Sequence, residues 1–97
     1  MPDRQTILTI LKSAKPSLAK KYGVKDLALF GSYSRHEAVP GKSDVDVMVD
    51  FSQPIGLAFV DLADELEELL RMKVDLVSRG GIKPRYFAVI EPDLINI

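Results

Sequence analysis

Phe30-Gly31-Ser32-Tyr33-Ser34-Arg35, followed after a Pro40-Gly41 turn by Ser43-Asp44-Val45-Asp46-Val47-Met48-Val49, decides how this chain folds. The first half closes an apolar run with a Gly-Ser pair. That pattern predicts a strand passing into a short helix whose first amides lack intrahelical partners and can hold phosphate oxygens. The second half alternates: Val45, Val47, Val49 and Phe51 fall on one face of a strand, Asp44, Asp46, Met48 and Asp50 on the other. The valine face is a core face. Two aspartates held together on the other face repel unless a cation lies between them.

Working outward, residues 24–30 read as the strand before the Gly-Ser pair, with Leu27 to Phe30 apolar enough for a central, buried position. Upstream, Ile7, Leu8, Ile10, Leu11 and Ala14 share one face of a helix over residues 3–14. Pro16 fits the start of a new helical segment, with Leu18, Ala19 and Tyr22 turned inward and Gly23 as its C-cap. Downstream, Phe59, Leu62, Ala63, Leu66, Leu69 and Leu70 form the apolar stripe of a helix over residues 57–71. Residues 74–78 make a third strand, closed by Gly80-Gly81. A helical turn follows Pro84, and the apolar tail 92–97 is expected to dock on the core. Without repeats or linkers, this order of helices and strands predicts one α/β (α+β) domain over 1–97, a mixed sheet flanked by helices.

Composition narrows the function classes. The chain has 97 residues, 46% hydrophobic and 28% charged, enough to bury a core without covalent staples. It has no cysteine, which excludes disulfides and thiolate metal sites. No apolar run reaches membrane-spanning length, and no secretory pattern opens the chain, so no membrane partner and a cytoplasmic location are expected. With 13 basic against 14 acidic residues, the net charge of −1 does not favour gripping nucleic acid through the overall field. No direct nucleic-acid binding is expected.

The candidate site joins three elements. Asp75, between Val74 and Leu76, points to the opposite face from its neighbours, so a third strand lying beside 44–51 would bring it to Asp44 and Asp46. Each piece alone has an ordinary explanation: a Ser-Asp turn, an N-cap serine, an acid on an edge strand. Their order and spacing together point to nucleotide chemistry. Transfer of a nucleotidyl group builds charge on the α-phosphate and on the departing pyrophosphate, and two Mg²⁺ ions bridged by carboxylates can stabilise both.

Gly31-Ser32-x-x-Arg35 followed by Ser43-Asp44-x-Asp46-x-x-Val49 resembles the signature of the polymerase-beta-type nucleotidyltransferase superfamily. More narrowly, the chain resembles the minimal nucleotidyltransferases of the MNT family over nearly its whole length, including Lys83-Pro84-Arg85 and the Leu94-Ile95-Asn96-Ile97 ending. The resemblance implies that Gly31 and Ser32 contact the triphosphate of ATP, with Arg35 and Ser43 beside it. It implies that Asp44, Asp46 and Asp75 are catalytic and hold Mg²⁺, two ions in all, Asp75 serving the incoming hydroxyl. His36 departs from the pattern, in which glycine often follows the arginine. As the only histidine it reads as a surface residue, and Arg79 is a further candidate for the phosphates.

The resemblance also implies a partner. MNT proteins are similar to antitoxins that pair with HEPN-domain toxins, which implies transfer of AMP from ATP to a toxin tyrosine within a hetero-oligomer. The tail and the acidic helix 57–71 are candidate docking surfaces. Two other readings stay open: an antitoxin that neutralises by occlusion alone, and a transferase acting on small molecules.

Overall fold

The computed structural model describes residues 3–97. Met1 and Pro2, part of the expected domain 1–97, lie outside the described residues. Helix α1, Arg4–Tyr22, is capped by Asp3, whose side chain accepts from the Thr6 amide at 2.9 Å. Gly23 ends it at φ 70°, a left-handed turn that suits a residue without Cβ, and its amide returns to the Ala19 carbonyl. The break expected at Pro16 does not occur: α1 runs through it. Pro16 and Lys12 are both exposed, so the carbonyl left without a donor faces the side where water can serve it. Leu18 is buried as expected and Ala19 is exposed, because one residue further along rotates the side chain off the core-facing stripe.

Strand β1, Val24–Phe30, leads into the one-turn helix α2, Gly31–Ser34, and a loop carries the chain to β2, Val45–Phe51. Helix α3, Ala58–Leu70, crosses to β3, Val74–Ser78. A 3₁₀ turn at Arg79–Gly81, helix α4 at Pro84–Ile90 and a second 3₁₀ turn at Glu91–Asp93 precede β4, Ile95–Asn96. The sheet order is β3-β2-β1-β4. β1 is antiparallel to β2 and β4, whereas β2 and β3 are parallel, as a strand–helix–strand crossover requires.

Register sorts the side chains. Leu27 pairs with Val49 and Leu29 with Val47, placing them with Val45 on the face covered by α1 and α3. Ile7, Leu11 and Leu18 from α1 and Leu62, Leu66 and Leu70 from α3 complete that core. The other face carries the polar set: Phe30, Asp46 and Asp75 align in one row, and Asp26 faces Asp50 further along. Hydrophobic burial on one face therefore fixes which acids share the second.

The tail docks as expected but in a form the sequence did not suggest. Asn96 and Ile95 pair with Ala28 and Leu29, the Ile97 amide donates to the Leu27 carbonyl at 2.8 Å, and Lys15 Nζ donates to the Ile97 carbonyl at 2.7 Å. Two residues are too few to show a strand period, so β4 is dictated by the free edge of β1.

Tyr33 offers a stability test. Its ring is in the core, and its buried hydroxyl has no hydrogen-bond partner among the described residues. A buried polar group left unpaired costs about 1–3 kcal/mol. Tyr33→Phe is expected to raise unfolding free energy by about 1 kcal/mol, read as a higher urea midpoint at unchanged slope. An unchanged midpoint would mean the hydroxyl is satisfied by water.

Candidate active site

Asp46 is the centre of the polar face. It stands in β2 between Phe30 of β1 and Asp75 of β3, both directly opposite in register. The parallel pairing of β2 and β3 thus meets the condition on which convergence of the acids depends. Asp46 is half-buried, while Asp44, just before β2, and Asp75 are exposed. Burial first, and then the negative charges of Asp75 and Asp44, push the Asp46 carboxyl up from the usual 3.8 to about 6. The Arg35 charge pulls the other way, and a hydrogen bond to Asp75 also favours the protonated form. Asp46 thus stands where burial and two neighbouring carboxylates disfavour its charged form.

The Gly-Ser pair abuts that group. Gly31 has φ 76°, and a Cβ built on it would lie 2.0 Å from Asp46 Oδ2 and 2.8 Å from its Cγ. Only a residue without a side chain allows the start of α2 to rest on the carboxylate. Ser32 follows, half-buried, at the helix start, where amides lack intrahelical acceptors. The phosphate-cradle motif and the acid motif, 13 residues apart from Gly31 to Asp44, thus meet at one contact.

The remaining candidates are placed less directly. Arg35 is held by two carboxylates: Nε donates to Glu37 at 3.1 Å and Nη1 to Asp93 at 2.9 Å. The Ser43 hydroxyl accepts from the Val39 amide at 2.8 Å, closing the loop that delivers Asp44. Its O–H donor stays available. His36, exposed, is bonded to the Arg4 side chain and has φ 60°, the left-handed region that suits the glycine common there. Arg79 lies beyond the end of β3 away from Asp75. It follows β3, four residues beyond Asp75, or roughly 13 Å along the strand at about 3.3 Å per residue. Its guanidinium lies 3.7 Å from the centre of the Phe87 ring. There it walls a cavity of about 160 Å³ shared with Asp26, Met48, Asp50 and Asn96. The tail, offered as a docking surface, is taken up in β4 and the core edge.

Sequence reasoning missed Asp93. It is 58 residues from Arg35, and nothing in its Glu-Pro-Asp setting marks it as part of the site. Only the return of the C-terminal segment past α2 reveals it.

The donor set suits a hard cation. All three acids offer oxygen, and Mg²⁺ takes one or two carboxylates along with phosphate oxygens and water. Among the described residues, no three acidic or histidine side chains close into a ready-made metal cage. Burial, and after it the charges of Asp75 and Asp44, raises the proton affinity of Asp46.

Comparison with known proteins decides the family. The Nucleotidyltransferase domain profile matches residues 11–95. The chain belongs to this family. A candidate protein adenylyltransferase of Methanocaldococcus jannaschii is 47% identical to this nucleotidyltransferase over 93 residues, 94% of each chain. Protein adenylyltransferase MntA of Thermococcus cleftensis is 42% identical over 80 residues, 81% of this chain and 80% of that one. A solved candidate minimal nucleotidyltransferase superposes with TM-score 0.81 at 31% identity, covering 99% of this chain and 97% of that one. A toxin–antitoxin pair solved with AMP-PNP matches with TM-score 0.59 at 26% identity, over 84% of this chain and 61% of that one. The resemblance drawn from the two motifs holds, and so does the mixed α/β fold. Among the described residues of the nucleotidyltransferase, no helix is long and apolar enough to cross a membrane.

Proposed function

We propose that this nucleotidyltransferase is a cytoplasmic antitoxin, acting as a single domain, that transfers AMP from ATP to a tyrosine of a HEPN-domain toxin and so silences it. The observation that carries the reading is the contact between Gly31 and Asp46, which sets a phosphate cradle against an acid cluster. The protein adenylyltransferase names of relatives above 40% identity support the reaction. The toxin–antitoxin pair with AMP-PNP supports the nucleotide and the setting.

In this reading Gly31 and Ser32 receive the triphosphate and Arg35 steadies its charge. Asp44, Asp46 and Asp75 would hold Mg²⁺, which when bound supplies charge stabilisation to the attacking and leaving oxygens. Asp75, exposed on the edge strand β3, is open to an acceptor arriving from a second protein and can take the proton of its hydroxyl. The α-phosphorus then gains a bond to the tyrosine oxygen and loses the bond to pyrophosphate.

The test uses ATP labelled at the α-phosphate, Mg²⁺ and the co-expressed HEPN partner, with wild type and Asp46→Asn compared. Label on a partner tyrosine with wild type alone is the expected result. A stable complex with no label from either protein would overturn the transferase reading and favour neutralisation by occlusion instead.

A further inference from the structure

The C-terminal segment does more than close the sheet. After α4 it turns at Glu91–Asp93 and meets α2 before entering β4. The Ser34 hydroxyl donates to the Asp93 carbonyl, and the Asp93 carboxylate accepts from Arg35 Nη1 at 2.9 Å. Glu37 takes the Nε proton at 3.1 Å. A guanidinium has five N–H donors in a rigid plane, so two are committed to carboxylates and three remain. With Nε and Nη1 engaged by two separate carboxylates, one proton on Nη1 and both on Nη2 stay available.

Both ion pairs are partly exposed, with the Arg35 side chain at 43% of its free surface. Pairs of this kind add little to stability. Their effect is on direction: a long side chain that would otherwise sample several rotamers is held in one, and its charge is felt at Asp46. We propose that Asp93 is a positioning residue for nucleotide binding, orienting Arg35 so that its free N–H groups meet the triphosphate. This rests on the proposed function, in which Arg35 contacts phosphate. Ordering Arg35 before ATP arrives removes that entropy cost from binding.

The test is a double-mutant cycle on ATP affinity, measured by calorimetry on the full chain with ATP in Mg²⁺ buffer. Asp93→Ala is expected to weaken binding about fivefold to tenfold, and Arg35→Ala at least as much. The double variant is expected to match Arg35→Ala alone, because Asp93 has nothing left to orient. Asp93→Asn, which keeps an acceptor oxygen, is expected to retain most of the affinity, and thermal midpoints should move little throughout. Losses that add in the double variant would overturn the proposal, since Asp93 would then act independently of Arg35. Unchanged or tighter binding in Asp93→Ala would also overturn it, the latter marking an inhibitory contact. If Arg35→Ala itself binds ATP normally, the phosphate role of Arg35 fails, which is distinguishable from failure at Asp93 alone. Absence of ATP binding by the wild type would sink both.

Discussion

Gly31→Ala is expected to abolish nucleotidyl transfer, lowering activity by about 10²–10³-fold, the scale of losing preorganised electrostatic contacts. The reason is spatial. A Cβ at this position would lie 2.0 Å from Asp46 Oδ2, well inside contact distance. The backbone compounds it, since φ 76° is a left-handed conformation that costs an L-residue about 1–2 kcal/mol. Asp46 cannot retreat freely, because its backbone is locked between β1 and β3. Its side chain must swing away from Asp75, or α2 must lift from the sheet, and either change separates cradle from acids. A destabilisation of about 2–3 kcal/mol should accompany the loss. Activity with the HEPN partner and urea unfolding check the two effects. A Gly31→Ala chain that transfers AMP at the wild-type rate would show that the Gly31–Asp46 contact is not what assembles the site.

Asp46→Asn should do the opposite to stability while also removing activity, by about 10³-fold if this acid anchors the charge on the reacting phosphate. Asp46 holds its proton more tightly in the folded chain, at about 6, than an unfolded aspartate does near 3.8. Between those values the folded state binds more protons. Stability from this group is thus fully present below about pH 4, and is lost as pH rises through about 6. The shift of about two units would be close to 3 kcal/mol if fully buried; for a half-buried carboxylate, solvent screening reduces it to about 1 kcal/mol. At pH 7.5 and without divalent metal, Asp46→Asn should melt about 5 °C above wild type. At pH 4.5 the gap should narrow, because the wild-type carboxyl is then largely protonated. Mg²⁺ with ATP should raise the wild-type midpoint and leave the variant nearly unmoved. An Asn variant less stable than wild type at pH 7.5 would mean that burial and like-charge crowding do not make the ionised Asp46 costly.

Both predictions turn on the same trade. Burial and the neighbouring Asp75 and Asp44 charges make an ionised Asp46 costly to the folded chain, and in the proposed function a bound nucleotide and cation would offset that cost.

How much of this was legible beforehand differs element by element. β2 could be read from its alternation, since one valine face and one acid face leave a single orientation against a core. Most of the α3 stripe and the Gly23 cap were equally direct, because period and capping chemistry are local, but Leu69 of that stripe is exposed. Asp44, Asp46, Gly31, Ser32 and Arg35 can be nominated from sequence because their motif is contiguous in two short pieces. Pro16 misled, because whether a proline breaks a helix depends on which side it faces, and that is set by the core. β4 was invisible because its strand character comes from the edge of β1. Arg79, close to Asp75 in sequence, stands past the far end of β3 because each strand residue advances the chain about 3.3 Å.

The sequence by itself determined the strand and helix periods, the core faces, and the residue types able to hold phosphate and metal, because each depends on near neighbours. Only the tertiary structure decided that β3 lies parallel beside β2 with Asp75 level with Asp46. Only it showed that Gly31 touches Asp46 and that Asp93 reaches Arg35 across 58 residues. Those contacts follow from how sheet edges pair and where loops return, which no stretch of chain carries within itself.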